Sequence, residues 1–335
     1  MPELPVLKSL ALWLVAATVA AQPAGWQTPL SAPGAAAPAA DGNQLLARAL
    51  DRMERNMTLA AKVRHRATLG EEESIGEGEY WQQGVGNHRR SRWQMRARAG
   101  DDTLSLVQVF DRRYLWTDRR FGKSRRVTRL DIQRLRRELI SRNEEGPATP
   151  TIGTPSPEDA ALLARGGLSQ LLADLQRRYD FSPPRPAVVD RTPTWAVVGQ
   201  WKPQELAQLW HGAAFDSAAA PLPPFDLHAW PAQIPHHVVV HFGQSDLFAY
   251  FIEFRSAADA SAATAVNAVA SVPKPLAQYT LFDVQFAAAI DPQMFEFDSR
   301  DVDWVDETAE VVAEFLPVAE KLAEDQTAIR HRVVR

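Results

Sequence analysis

There is no cysteine anywhere in the 335 residues. That absence excludes a disulfide framework, a thiolate metal site, a cysteine nucleophile and a lipidated N-terminal cysteine. An excess of positive charge is also missing. Lys and Arg total 37 against 41 Asp and Glu, a net charge of -4, which argues against a dedicated nucleic-acid binder. HExxH, P-loop and complete Gly-rich dinucleotide motifs are lacking, and Gly84-Val85-Gly86 has neither a third glycine nor a following helix. No internal repeat of about 20–50 residues marks a solenoid or propeller.

What is present is 45% hydrophobic residues, enough for a sizeable core. After Lys8, residues 9–21 (SLALWLVAATVAA) form an unbroken run of apolar and small residues. The run is shorter than the roughly 20 residues that span a bilayer as a helix. It has the length of a signal-peptide core, and Val19-Ala20-Ala21 places small residues at a cleavage site. Glu3 beside a single Lys weakens the basic start and leaves an uncleaved anchor as the alternative. The expectation is export, cleavage near Ala21 and a soluble periplasmic protein. Residues 22–42 are rich in Pro, Ala and Gly and read as a disordered linker. One domain is expected over 43–335.

Residues 43–64 carry Leu45, Leu46, Ala49, Leu50, Met53 and Met57 at helical spacing, with Asp41 or Asn43 available as a cap. From Ile75 the period becomes two. Ser91, Trp93, Met95 and Ala97 alternate with Arg90, Arg92, Gln94, Arg96 and Arg98, a strand apolar on one face and cationic on the other. Further strands are expected at 103–110, 114–116 and 124–128, joined by short polar turns as an antiparallel meander. Residues 130–142 and 158–179 are helical in pattern, the second interrupted at Gly166-Gly167. A strand follows at 194–201, a short helix at 204–210, and a Pro-rich loop at 221–235. A hairpin at 236–255 and an Ala-rich connector at 257–270 precede a long strand, 276–286. An acidic strand near 302–305 and a helix from Glu307 come last. Many strands with few crossover helices define an α+β fold, a strongly curved antiparallel sheet with helices on one side. Residues of about 130–190 read as a helical insertion.

Arginines crowd the first meander and carboxylates crowd the end of the chain. Two solvated faces that attract each other, or a basic rim for an anionic headgroup or acidic partner, both fit that pattern. The histidine cluster His236, His237 and His241 falls on one strand. His237 and His241 share a face, but four residues of strand separate them by roughly 13 Å, too far for one metal ion. Asp298, Asp301, Asp303 and Asp306 lack the EF-hand spacing and its glycine. Gly243-Gln244-Ser245-Asp246-Leu247 lacks the last glycine of a nucleophile elbow. No catalytic residue, metal site or cofactor is therefore assigned, and no enzyme is expected. An exported hydrolase would need scattered acids together with His211, His228 or His237.

Ten tryptophans are the unusual feature. Aromatics on strands usually build core. A strongly curved sheet, however, has a concavity that a few helices fill only in part, and an apolar concavity suits acyl chains. The candidate cavity residues are Trp93, Met95, Val107, Val109, Trp116, Trp195, Val197, Phe248, Phe254, Phe282 and Phe286.

The order of these segments resembles the LolA-like superfamily, the outer-membrane lipoprotein carriers and sorting proteins, related to the N-terminal domain of RseB-type sensors. The similarity lies in the exported N-terminus, the helix LLARALDRMERN, the basic strand HRRSRWQMRAR, and the strand pair around LVQVFDRRYLWTD. PHHVVVHFGQSDLFAYFIEFR resembles the late hairpin of that family. The most specific piece is the ending LFDVQFAAAIDPQMFEFDSRDVDWVDET. The resemblance implies an unclosed half β-barrel lidded by helices on its concave side, with a hydrophobic cavity for lipid or lipoprotein acyl chains. It also implies a lid-contacting arginine at the rim, for which Arg92 and Arg96 are candidates. The function implied is a monomeric periplasmic carrier. The alternative is an envelope sensor or docking module of the RseB type, with an envelope membrane protein as partner and no transported lipid.

Overall fold

The computed structural model describes residues 41–56, 58–69, 72–145, 166–211, 234–256 and 275–314. The expected signal peptide, the linker up to residue 40, the 146–157 stretch, the Pro-rich 221–233 segment and the Ala-rich connector lie outside the described residues, while Asp41 and Gly42, expected in the linker, begin the first helix.

The first helix, α1 (Gly42–Arg55), begins where Asp41 accepts a hydrogen bond from the Asn43 amide at 2.9 Å. It ends nine residues before the helical spacing predicts. From Thr58 onward Leu59, Ala61, Val63, His65 and Ala67 are buried, while Lys62, Arg64 and Arg66 between them are exposed. That period of two makes β1 (Thr58–Leu69), and burial of one strand face overrides a helical pattern that Met57 and the arginines only mimic.

Next come β2 (Glu72–Gln83), β3 (Arg90–Ala99), β4 (Asp102–Phe110), β5 (Tyr114–Phe121) and β6 (Ser124–Asp131), an antiparallel meander. Then follow α2 (Ile132–Glu145), α3 (Gly167–Arg178), β7 (Tyr179–Phe181), β8 (Arg185–Val189), β9 (Thr192–Trp201) and α4 (Pro203–His211). The hairpin β10 (His237–Gly243) and β11 (Ala249–Arg255) leads to β12 (Pro275–Phe286), and β13 (Val305–Asp306) and α5 (Thr308–Glu314) complete the described chain.

All thirteen strands belong to one sheet, in the order β13-β6-β5-β4-β3-β2-β1-β12-β11-β10-β9-β7, with β8 also on β9. The long-range step is β12, which returns antiparallel to β1 and joins the first meander to the late hairpin. β13 and β7 are separate edges, so the curved sheet is an unclosed half-barrel. Where antiparallel pairing was expected throughout, β13 runs parallel to β6. The chain reaches β6 there after crossing the back of the sheet, which a hairpin could not do.

Curvature is written into β2. Gly76 and Gly78 lie on its inner face, opposite Ala97 and Met95 of β3. A Cβ added to Gly78 would collide with the Gln94 carbonyl oxygen, and one on Gly76 with that of Arg96. Gly78→Ala is therefore expected to destabilise the fold by about 1–3 kcal/mol, the usual cost of overpacking. A thermal melt unchanged from the wild type would contradict this account of the bend.

Candidate functional site

Strand register assigns every side chain to the concave or the convex face. The concave face is one contiguous apolar surface. It runs from Trp195, Val197 and Trp201 on β9 through Val238 and Val240, Ile252 and Phe254, Tyr279 and Leu281, and Val63 to Tyr80, Trp93 and Met95. Against it pack Leu45, Leu46, Ala49, Leu50 and Met53 of α1 and Leu168, Leu172, Ala173 and Leu175 of α3.

These two helices are clasped to the sheet by polar contacts at their ends. Gln82 of β2 donates through Nε2 to the carbonyls of Met53 at 2.9 Å and Asn56 at 3.1 Å, and its Oε1 accepts from the Tyr80 hydroxyl. Arg89, 1% exposed, donates to the Met53 carbonyl at 2.8 Å and pairs with Glu54 of α1. At the other end Asn43 accepts from the Phe181 amide of β7 at 3.0 Å. The α3 N-terminus is held where the Gly167 amide donates to Gln108 of β4 at 3.1 Å, and its last turn where Lys202 donates to the Gln176 carbonyl. Between the clasps the joint is mainly apolar, with Ser169 of α3 beside the Tyr80 hydroxyl.

An aromatic ladder lies beneath the helices. Trp93 meets Tyr80 edge-on at 5.6 Å and Tyr279 at 6.3 Å, and Tyr279 lies 4.8 Å from the ring of His65. Desolvation lowers the His65 pKa to about 4, so the ring is neutral. Burial likewise raises the pKa values of Tyr80 and Tyr279.

Of the candidate cavity residues, Trp93, Met95, Trp195, Val197, Phe248 and Phe254 come together in this concave cluster. Phe286 reaches its margin, 41% exposed and 6.1 Å from Phe248. Val107, Val109 and Trp116 stand on the opposite, convex face. There Val109, Trp116 and Val127 form a separate cluster covered by Phe297 and Val302. Phe282 is also convex, lying under the Arg64 guanidinium at 5.1 Å. The TLSLVQVF strand is apolar on both faces, and the chain end that covers the second face is far away in sequence.

Both rim candidates point outward as well. Arg92 donates to the Met294 carbonyl at 3.1 Å, and Arg96, two residues on, shares its convex face. An arginine that faces inward is Arg119 of β5, in register with Leu106, on the same face as Leu115 and Phe121 and opposite Arg126 of β6. Desolvation lowers its pKa, opposed by Glu307 nearby, and its Nε has no hydrogen-bond partner. Parity along Leu115, Thr117, Arg119 and Phe121 is the signal that points to it.

The convex face carries the C-terminal strap. Arg129 lies 3.9 Å from the Trp304 ring centroid and 4.7 Å from that of Tyr114, and pairs with Asp306 at 2.7 Å. Trp116 stacks on Phe297 at 5.0 Å. The arginine-rich meander and the acidic chain end thus attract each other across the fold, with Arg126 paired to Glu307 at 2.9 Å as a further link. Arg129→Ala is expected to cost about 1–2 kcal/mol, from partly desolvated cation–π contacts. It should also speed proteolytic cleavage within 298–306; unchanged cleavage would show that the arginine does not hold the strap.

The histidines of β10 lie on the convex face, where His241 contacts Thr194 at 3.2 Å through Nδ1. Asp246 organises the hairpin turn, accepting from the Phe248 amide and the Tyr250 hydroxyl at 2.8 Å each. Among the described residues, no three His, Asp or Glu side chains converge on a metal site, and no helix is long and apolar enough to cross a membrane.

No family model and no curated protein matches the chain. Solved structures do. Lipoprotein LppX of Mycobacterium tuberculosis is 12% identical, with 75% of this chain and 100% of that chain covered and a TM-score of 0.30. An outer-membrane lipoprotein-sorting protein domain from Vibrio parahaemolyticus is 10% identical, covering 76% and 95% at a TM-score of 0.29. A LolA-superfamily protein from Nitrosomonas europaea is 12% identical, covering 76% and 98% at 0.23. At such identities and scores these likenesses carry no argument about function. The fold stands on strand order and helix placement.

Proposed function

We propose that this protein is a non-enzymatic lipid- or lipoprotein-binding carrier of the periplasm. In this reading acyl chains lie between the concave face of the half-barrel and the helices α1 and α3. The observation that supports it is the apolar concave surface, covered by helices whose polar attachments sit at their ends. A cover of that kind separates from the sheet by exchanging apolar contact for apolar contact. Each chain methylene that replaces a helix contact recovers about 0.8 kcal/mol of burial, so an acyl chain can take the place of the helix faces at small net cost. Arg119, half-buried on the inner face with Arg126 opposite, is a cation available to a headgroup at the β4–β6 end.

A polyene fatty acid that accepts energy from tryptophan tests this reading. Trp93 and Trp195 on the concave face should be quenched as the probe enters, with saturation at one site or a few. A folded protein whose tryptophan emission does not respond, and which takes up no probe, would overturn the carrier reading.

A further inference from the structure

His65 projects from β1 onto the concave face and is 6% exposed. Neither of its ring nitrogens has a hydrogen-bond partner, and neither does the buried hydroxyl of Ser74, one row further along on β2. Tyr279 flanks His65 on the β12 side, and the other cross-strand positions around the two carry almost no side chain. Gly76 stands opposite His65, Ala67 opposite Ser74, and Ala97 and Ala277 occupy the neighbouring strands on the same face. Two unpaired polar groups therefore stand on a floor of glycine and alanine, within a face that is otherwise apolar.

Each buried polar group left unpaired costs roughly 1–3 kcal/mol, and a phenylalanine would pack against Tyr279 without that cost. The chemistry offered is uncharged. A neutral imidazole presents one donor and one acceptor, and the serine hydroxyl presents one of each. Alternation turns the nearby cations Lys62, Arg64, Arg66, Arg96 and Arg98 to the convex face, so an anionic headgroup would meet no positive charge here. An ester carbonyl or glycerol hydroxyl would be satisfied.

We infer that His65 and Ser74 form a hydrogen-bonding subsite for the uncharged glyceride ester of a bound lipid. The inference rests on the carrier reading and names the part of the lipid that the site recognises.

The test uses the full chain, stripped of lipid, with dioleoylglycerol and its diether counterpart, which has the same chains and no carbonyls. Wild type should bind the diester roughly tenfold more tightly than the diether, the scale of one or two hydrogen bonds. His65→Phe and Ser74→Ala should each reduce that preference while binding the diether as the wild type does. The ring-nitrogen NMR signals lost in His65→Phe should shift in wild type on adding diester and stay in place with diether. Equal binding of both lipids by the wild type, with unmoved His65 signals, would overturn the subsite and leave the carrier reading standing. Folded wild-type protein that binds neither lipid would overturn both. Ser74→Ala keeps the subsite testable if the His65 variant fails to fold.

Discussion

Trp93→Ala is expected to cost about 3–5 kcal/mol, the range for deleting a large aromatic from a close-packed core. Trp93 is 1% exposed and sits between Tyr80 and Tyr279, directly under Gly167 at the start of α3. Its indole therefore supports the sheet and one of the two covering helices at once. Relaxation is limited, because Gly78 beside it already admits no bulk and the α3 N-terminus is tied to Gln108. Urea denaturation should show a lower midpoint with an unchanged slope. A loss below about 1 kcal/mol would mean that the helices can close over the gap, and that the ladder is not what holds them.

Acidification should weaken the fold between pH 6.5 and about 4. The His65 pKa falls from 6.5 to about 4 because the ring is buried. The native state thus refuses a proton that the unfolded chain accepts. Above pH 6.5 neither state binds it and stability is full; below that value protonation favours the unfolded chain, and the loss levels off near pH 4. At about 1.4 kcal/mol per pKa unit, the shift corresponds to about 3 kcal/mol at most from this one ring. His237 and His241 act in the same direction, each lowered to about 4 by desolvation and by Arg255. In His65→Phe the pH dependence should shrink by the His65 share, leaving that of the convex-face pair. A slope identical in variant and wild type would place the acid-sensitive groups elsewhere.

The meander was legible where a strand has one face that tolerates charge. HRRSRWQMRAR shows this clearly, and its apolar positions Trp93 and Met95 are in the concave cluster. β1 was not legible, since Met53 and Met57 continue a helical spacing while the alternation of Lys62, Arg64 and Arg66 has begun. The same limit governs the cavity candidates. Parity along one strand separates two faces but does not say which is concave when both are apolar, as with Leu104 and Leu106 against Val107 and Val109. That assignment comes from β12 pairing with β1 and from Phe297 and Val302 covering Trp116, both long-range contacts. Arg119 is not distinguishable in the sequence for a related reason: it stands in a run of arginines of which only alternate members face inward.

Native mass spectrometry of the protein purified from an exporting host, followed by organic extraction, would show whether lipid occupies the concave face. A carrier should release, on extraction, a bound species that carries acyl chains, with a neutral glyceride portion if His65 and Ser74 recognise it. Bare protein, folded and accompanied by a stoichiometric protein partner but no lipid, would contradict the carrier reading. In that case the concave aromatics serve as ordinary core.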